Sequence, residues 1–88
     1  AHYRQWLIDN ARRFGLDPLG LLLMMPHGIK PQQRTALILR DIEGVPYEKI
    51  AEIMKCSEQA VRLKVFRARA RLKNLVMKAL RRRESLRR

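Results

Sequence analysis

The chain has 88 residues, a formal net charge of +12 and one cysteine. This length supports a single small domain, and the charge favours a polyanionic partner such as nucleic acid. The lone cysteine excludes an intramolecular disulfide and a cysteine-based metal site, and residues 19–25 are too short to span a bilayer, which needs about 20 apolar residues. A lone cysteine is expected of a reducing cytoplasm, so we expect a cytoplasmic protein without a membrane partner.

Residues 1–28 predict an N-terminal helical extension made of two short helices. Apolar side chains recur at helical spacing in the first helix, which Gly15 is suited to end. Asp17 and Pro18 are suited to be the N-cap and the first residue of the second helix. Trp6 and the leucines and methionines of this second helix are most simply core residues, and an exposed docking surface is the alternative.

A third helix is predicted from Pro31 to the residues before Gly44, because proline is favoured in a first helical turn and glycine just after a last one. Its apolar residues follow a helical period. Arg34 lies near its start, where it either contacts phosphate or pairs with a neighbouring acid. We expect the polar residues of its last turn to be solvated: Arg40, Asp41 and Glu43.

The stretch 47–73 predicts a helix-turn-helix, around which the chain is organised. The first helix of the pair is short, with an apolar stripe of Ile50, Ile53 and Met54. Ser57 then provides an N-cap, because its hydroxyl can accept a hydrogen bond from an amide of the next turn. A short helix, a tight turn and a longer basic helix form the arrangement in which the second helix enters the major groove of DNA.

The second helix of the pair combines a core face with two basic flanks. At about 100° per residue, its core face holds Val61, Val65, Ala68, Leu72, Leu75 and Val76. One flank holds Lys64, Arg67, Arg71 and Lys78, and the other holds Arg62, Arg69 and Lys73. Residues 58–88 carry twelve basic and two acidic side chains, against eight and six in 1–57. This density favours contact with two phosphate ridges, and a merely solvated face is the alternative.

A second apolar stripe lies opposite the core face of the same helix. Its members are Leu63, Phe66, Ala70 and Met77. A helix that is apolar on two faces is usually buried on both. We expect this stripe to bind protein, because four aligned apolar residues exceed what base reading requires. Apolar contact with thymine methyl groups in the major groove is the alternative.

From Ile29 to Leu75 the chain resembles region 4 of the bacterial sigma factors, most closely the extracytoplasmic-function (ECF) type. The motifs of that family occur here in the same order, as PQQRTALILRDIEG, YEKIAEIM and AVRLKVFRARARL. The resemblance implies a small all-α bundle over 29–80, containing a helix-turn-helix with a long basic recognition helix, and a basic tail over 81–88. It also implies that the chain is the C-terminal piece of a longer protein.

The resemblance further implies a function in transcription initiation. Such a domain binds the −35 promoter element through the major groove and docks on the flap of the RNA polymerase beta subunit with the apolar surface of its earlier helices. The resemblance carries over Arg62 and Lys64 as DNA-contacting cations, with a phosphate contact near Arg34. The family has glycine, threonine and a small polar residue at three positions where this chain has Gln59, Ala60 and Leu63.

We therefore expect DNA to be contacted by Arg34, Gln59, Arg62, Lys64, Arg67 and Arg71, and protein by Leu63, Phe66, Ala70 and Met77. No residue pattern for catalysis, a cofactor or a metal is present, so we expect neither an enzyme nor a cofactor. Two other functions stay open. One is a sigma-like interaction domain that binds the polymerase or a regulator such as an anti-sigma factor without reading DNA. The other is a response-regulator-type helix-turn-helix, for which a dimer on a palindromic site is expected.

Overall fold

The structure is a computed structural model that describes residues 2–25 and 27–86, and these residues form an all-α fold, as predicted. In chain order the elements are α1 (His2–Arg13), α2 (Pro18–Leu23), α3 (Pro31–Leu37), a π-helical turn (Ile38–Ile42) that continues α3, α4 (Tyr47–Met54) and α5 (Glu58–Leu86). The expected basic tail is helical as far as Leu86, and its last two residues lie outside the described residues. Within the described ranges, no helix combines the length and the apolar character needed to cross a bilayer.

The ends of the short helices follow from local chemistry. Asp17 caps α2, because its Oδ1 accepts a hydrogen bond from the backbone N–H of Gly20 at 2.7 Å, and Pro18 is the first helical residue, as predicted. Gly15 and Gly44 follow α1 and the π-helical turn with φ values of 68° and 73°. This left-handed conformation costs glycine little, so both residues end their helices where the sequence predicts.

The core is assembled along α5. The residues of its predicted core face are buried, apart from Leu75, which is half-buried: Val61, Val65, Ala68, Leu72 and Val76. The helices α3 and α4 both pack against this face. The N-terminal helices contribute to the same core with Leu7, Ala11, Leu21 and Leu22. The division of the chain into an extension and a helix-turn-helix domain at residue 28 stays a prediction.

Some apolar residues that were expected in the core are exposed. On α4, Ile50 is buried and Met54 half-buried, whereas Ile53, which is about 100° from Met54 around the helix, is exposed. The leucine and methionine cluster divides between core and surface: Leu21 and Leu22 are buried, but Leu19, Leu23 and Met24 are exposed. The core interpretation therefore holds for Leu21 and Leu22, whereas the use of the exposed residues as a docking surface stays a prediction.

Candidate nucleic-acid interface

The turn between α4 and α5 fixes the direction in which α5 leaves the domain. Lys55 follows α4 in a left-handed conformation, with φ of 54°. The Oγ of Ser57 accepts a hydrogen bond from the N–H of Ala60 at 3.0 Å, and its carbonyl accepts one from Val61 at 3.1 Å. Ser57 is therefore the N-cap of α5, as predicted. This geometry buries one side of the first turns of α5 and leaves the opposite side exposed.

A basic groove runs between one flank of α5 and the start of α3. Lys64, Arg67 and Arg71 line it from α5, and Lys30, Gln33 and Arg34 line it from the segment around the start of α3. None of the described residues along this groove is acidic. The groove is therefore a concave strip of positive potential whose walls come from two separate parts of the chain, a shape that attracts a polyanion.

Two arginines of this groove are held by backbone carbonyls. The Nε of Arg71 donates a hydrogen bond to the carbonyl oxygen of Gly28 at 2.7 Å, and the Nη2 of Arg34 donates one to the carbonyl oxygen of Ile29 at 3.4 Å. The loop before α3 therefore holds two cations, one on α3 and one on α5. The acceptors of both hydrogen bonds are neutral backbone carbonyl oxygens.

Arg62 lies on the other flank of α5, beside the first residue of α4. Its guanidinium carbon is 4.2 Å from the centre of the Tyr47 ring. The guanidinium carbon of Arg40, from the π-helical turn, lies 4.4 Å from the centre of the same ring, and Arg40 also donates to the carbonyl oxygen of Val45 at 3.3 Å. Both contacts are within the range of a cation–π interaction. Tyr47 thus holds a cation from α5 and a cation from the π-helical turn.

Arg69 is half-buried and connects α5 to the π-helical turn. Its Nε and Nη2 donate to the two carboxylate oxygens of Asp41 at 2.8 and 2.6 Å. Its guanidinium also lies over the ring of Tyr3, 5.0 Å from the ring centre. The hydrogen bond with Asp41 raises the pKa of the Arg69 guanidinium. The expectation that Asp41 is solvated is therefore wrong: Asp41 is 7% exposed, because the π-helical turn directs it towards α5.

The outward face of α5 carries the second apolar stripe. Leu63, Phe66 and Met77 are 47%, 69% and 45% exposed, and Ala70 between them is also exposed. Gln59 is exposed at the start of the same face. Within the described residues the stripe is thus a free surface, flanked on one side by Lys64 and Arg67 and on the other by Arg62 and Lys73. Its role in binding protein stays a prediction.

An apolar groove lies at the far end of the domain, where α5 extends past α2. Its apolar walls come from Met24, Met25, Leu75, Ala79 and Leu86, and its basic rim from Lys78, Arg82 and Arg83. Leu86 is 88% exposed. Arg83 anchors this part of α5 to the end of α1, because its Nη1 donates to the carbonyl oxygen of Arg13 and its guanidinium lies 5.8 Å from the ring centre of Phe14. The groove is therefore built on a helix end that is tied to the domain.

Comparison with known families identifies the domain. The profile described as "Sigma-70, region 4" matches residues 21–72, which run from α2 through the helix-turn-helix to the middle of α5. The chain belongs to the sigma-70 region 4 family. The matched segment is more than half of the chain and contains both helices of the helix-turn-helix. The resemblance noted from the sequence motifs is therefore confirmed for the fold and the family.

The chain is similar to proteins described as ECF sigma factors. The ECF RNA polymerase sigma-E factor of Haemophilus influenzae is 44% identical over 50 residues, which are 57% of this chain and 26% of that protein. The proteins of the same description from Salmonella typhimurium and Escherichia coli are each 45% identical over 49 residues, with 56% of this chain and 26% of each relative covered. The chain thus spans about a quarter of the length of these relatives. No solved structure matches the chain.

The region 4 domain places the six expected DNA-contacting residues in three groups. Lys64, Arg67, Arg71 and Arg34 share the basic groove, Arg62 lies alone on the opposite flank, and Gln59 is at the exposed start of α5. Their contact with DNA stays a prediction. Two neighbours of these residues were not predicted from the sequence: Lys30, which lines the basic groove, and Tyr47, which contacts Arg62. Each had a signal, since Lys30 directly precedes the helix-starting Pro31 and Tyr47 opens one of the family's motifs.

Proposed function

We propose that this domain recognises the −35 element of a bacterial promoter by placing the first turns of α5 in the major groove. The observation that carries this proposal is the exposed face of those turns, which has a cationic flank on each side. Gln59 and Phe66 lie on the face, Lys64 and Arg67 on one flank, and Arg62 on the other. A helix with this arrangement can present its outward face to base edges while each flank meets one phosphate backbone.

The length of α5 separates base contacts from backbone contacts. At 1.5 Å per residue, the stretch 59–67 is about 12 Å long, close to the width of the major groove. Gln59 can reach a base edge from this stretch, and Phe66 can contact a thymine methyl group. Arg71 lies about 18 Å from the start of the stretch, so together with Arg34 it is assigned to phosphate.

Binding measurements with matched charge variants test this proposal. A duplex is selected from a randomised pool with the domain, and its affinity is compared with that of a scrambled duplex by fluorescence anisotropy. Arg62→Ala and Lys64→Ala are each expected to weaken binding to the selected duplex about tenfold. Lys49→Ala is the matched control, because it removes the same charge from an exposed position on α4, outside the two basic flanks of α5. Wild-type affinity of Arg62→Ala and Lys64→Ala would refute the assignment.

We further propose that the domain docks on RNA polymerase, through the flap of the beta subunit, with the apolar groove of Met24, Met25 and Leu86. Exposed apolar side chains on a groove with a basic rim support a protein partner at this place. Met24→Glu is expected to weaken binding to an isolated flap domain and to leave DNA affinity unchanged. Ile53→Glu is the control, because Ile53 is equally apolar and exposed but lies on α4. Equal loss in both variants would contradict this use of the groove.

One observation favours a second candidate function, binding to a protein regulator such as an anti-sigma factor. The apolar stripe continues to Met77, about 21 Å along α5 from Leu63, which is farther than the groove of DNA requires. Met77→Glu separates the two functions, since Leu63 and Phe66 serve both. If Met77→Glu weakens binding to the regulator but leaves the affinity for promoter DNA unchanged, the second function is supported. A regulator complex of unchanged affinity after Leu63→Glu and Phe66→Glu would refute it.

The cellular setting proposed with this function is the bacterial cytoplasm, where promoter DNA and RNA polymerase are found.

A response-regulator-type mode makes a different prediction about the number of protein copies bound to each DNA site. In that mode two copies of the chain occupy the two halves of a palindromic site. Sedimentation of the complex with the selected duplex measures the number of bound copies. One copy per site is expected for promoter recognition by this domain, and two copies are expected for the response-regulator-type mode.

A further inference from the structure

The ring of Tyr47 joins the recognition helix to the π-helical turn. The guanidinium carbons of Arg62 and Arg40 lie 4.2 and 4.4 Å from its centre. Tyr47 and Arg40 are both half-buried, whereas Arg62 is exposed. The half-buried ring of Tyr47 therefore contacts two cations, the half-buried Arg40 of the π-helical turn and the exposed Arg62 of α5.

The π-helical turn accounts for the position of Arg40. The N–H of Glu43 donates to the carbonyl oxygen of Ile38 at 2.9 Å, a bond across five residues that makes this turn wider than an α-helical one. Arg40 and Asp41 are consecutive residues of this wider turn. The guanidinium of Arg40 lies over the ring of Tyr47, which also contacts Arg62 of α5, and the carboxylate of Asp41 accepts a hydrogen bond from Arg69 of α5. Such turns are frequent at functional sites. Here the turn supports two arginines of α5, Arg62 and Arg69.

The contact with Tyr47 changes what Arg62 can do at the DNA. A free arginine side chain loses rotamer freedom when it is fixed in one geometry. Arg62 is already held over an aromatic ring on the flank of α5, so part of this ordering is complete before DNA binds. A cation–π contact does not require the N–H donors of the guanidinium. These donors stay available for a phosphate or a guanine edge.

We propose that Tyr47, supported by Arg40, is a positioning residue that orients Arg62 for DNA recognition. This inference rests on the proposed function of α5 in reading promoter DNA. The part of Tyr47 that acts is the face of its ring, not its hydroxyl group. Tyr47→Phe therefore keeps the function, and Tyr47→Leu, which keeps a similar apolar bulk without the ring, loses it.

The first test is the coupling between Tyr47 and Arg62 in binding to the selected duplex. Tyr47→Leu is expected to weaken binding about three- to tenfold in the wild-type background, and Tyr47→Phe to stay within about twofold of wild type. In the Arg62→Ala background, Tyr47→Leu is expected to have no further effect. A merely structural role of the ring would reduce affinity in both backgrounds and lower the thermal midpoint of both proteins.

The second test does not depend on DNA. Because the Arg62 guanidinium lies 4.2 Å from the centre of the Tyr47 ring, the ring current is expected to shift the NMR resonance of the Arg62 side-chain Nε–Hε group in the free domain. This shift is expected to persist in Tyr47→Phe, to vanish in Tyr47→Leu and to decrease in Arg40→Met. If the wild-type domain binds selected and scrambled duplexes equally, the proposed promoter reading fails, whereas the NMR shift and the coupling on either duplex still test the positioning of Arg62.

Three results would overturn the inference. Equal loss of affinity in Tyr47→Phe and Tyr47→Leu would assign the effect to the hydroxyl group. An equal loss from Tyr47→Leu with and without Arg62 would make Tyr47 a structural residue only. If Tyr47→Leu binds the selected duplex with wild-type affinity while Arg62→Ala binds it more weakly, Arg62 acts without being oriented by the ring.

Discussion

Replacing Asp41 with alanine is expected to lower the free energy of unfolding by about 2 to 3 kcal/mol. Asp41 is 7% exposed and accepts two hydrogen bonds from the guanidinium of Arg69, at 2.6 and 2.8 Å. Its removal leaves the cation of Arg69 in a partly buried place without its carboxylate. The substitution therefore removes the link between the π-helical turn and the middle of α5.

The expected magnitude follows from the burial of the two partners. Breaking a fully buried ion pair costs about 3 to 5 kcal/mol. The side chain of Arg69 is 32% exposed, so water can solvate the guanidinium in the variant and the loss lies below that range. A domain of 88 residues has a total stability of roughly 4 to 13 kcal/mol. A loss of this size is thus a large fraction of the total and lowers the thermal midpoint by roughly 10 to 20 °C.

Urea denaturation followed by far-ultraviolet circular dichroism measures this loss. Glu43→Ala is the matched control, because Glu43 is an exposed acidic residue beside the same π-helical turn, and its removal is expected to cost less than about 0.5 kcal/mol. Adding Arg69→Met to Asp41→Ala is expected to cost less than the two single losses combined. A loss for Asp41→Ala as small as that of Glu43→Ala would refute this account of the ion pair.

Three further outcomes are expected. Ser57→Ala removes the N-cap of α5 and is expected to cost about 1 kcal/mol in urea denaturation. Leu72→Ala, at a side chain with no exposed surface, is expected to cost about 3 kcal/mol in the same measurement, and a loss below 1 kcal/mol would contradict its place in the core. Burial, followed by repulsion from Asp41, raises the pKa of Tyr3 above its ordinary value of about 10. Because the folded state holds this proton more tightly, stability is complete below about pH 10 and falls above it, by up to about 1.4 kcal/mol per pH unit. Tyr3→Phe is expected to lack this contribution when the two proteins are compared by urea denaturation across alkaline pH.

The helices could be predicted from the sequence because local signals determine them. Asp17, Ser57 and Gly44 lie where the capping rules place them, and a helical period identifies the core face of α5. The second apolar stripe was also predictable, since α5 is long enough for its two faces to be told apart. These features depend only on neighbours within a few residues.

The partners of individual charges could not be predicted. Asp41 and Arg69 are 28 residues apart, and nothing in the local pattern around Asp41 distinguishes it from the solvated Glu43. The π-helical turn has no sequence signal that separates it from a continuation of α3. For the same reason, neither the position of Tyr47 beside Arg62 nor the place of Lys30 in the basic groove could be predicted, because both depend on the tertiary contacts of α5.

The central claim, that α5 reads promoter DNA, is tested most directly by the salt dependence of binding to the selected and scrambled duplexes. Nonspecific attraction to phosphate weakens steeply between about 50 and 200 mM salt for both duplexes. Base reading adds a difference that salt does not remove, because each mismatched base pair costs about 1 to 3 kcal/mol. We expect the selected duplex to bind at least about tenfold tighter across this range. Equal affinity for the two duplexes at every salt concentration would contradict the claim and leave only the attraction of a +12 chain for a polyanion.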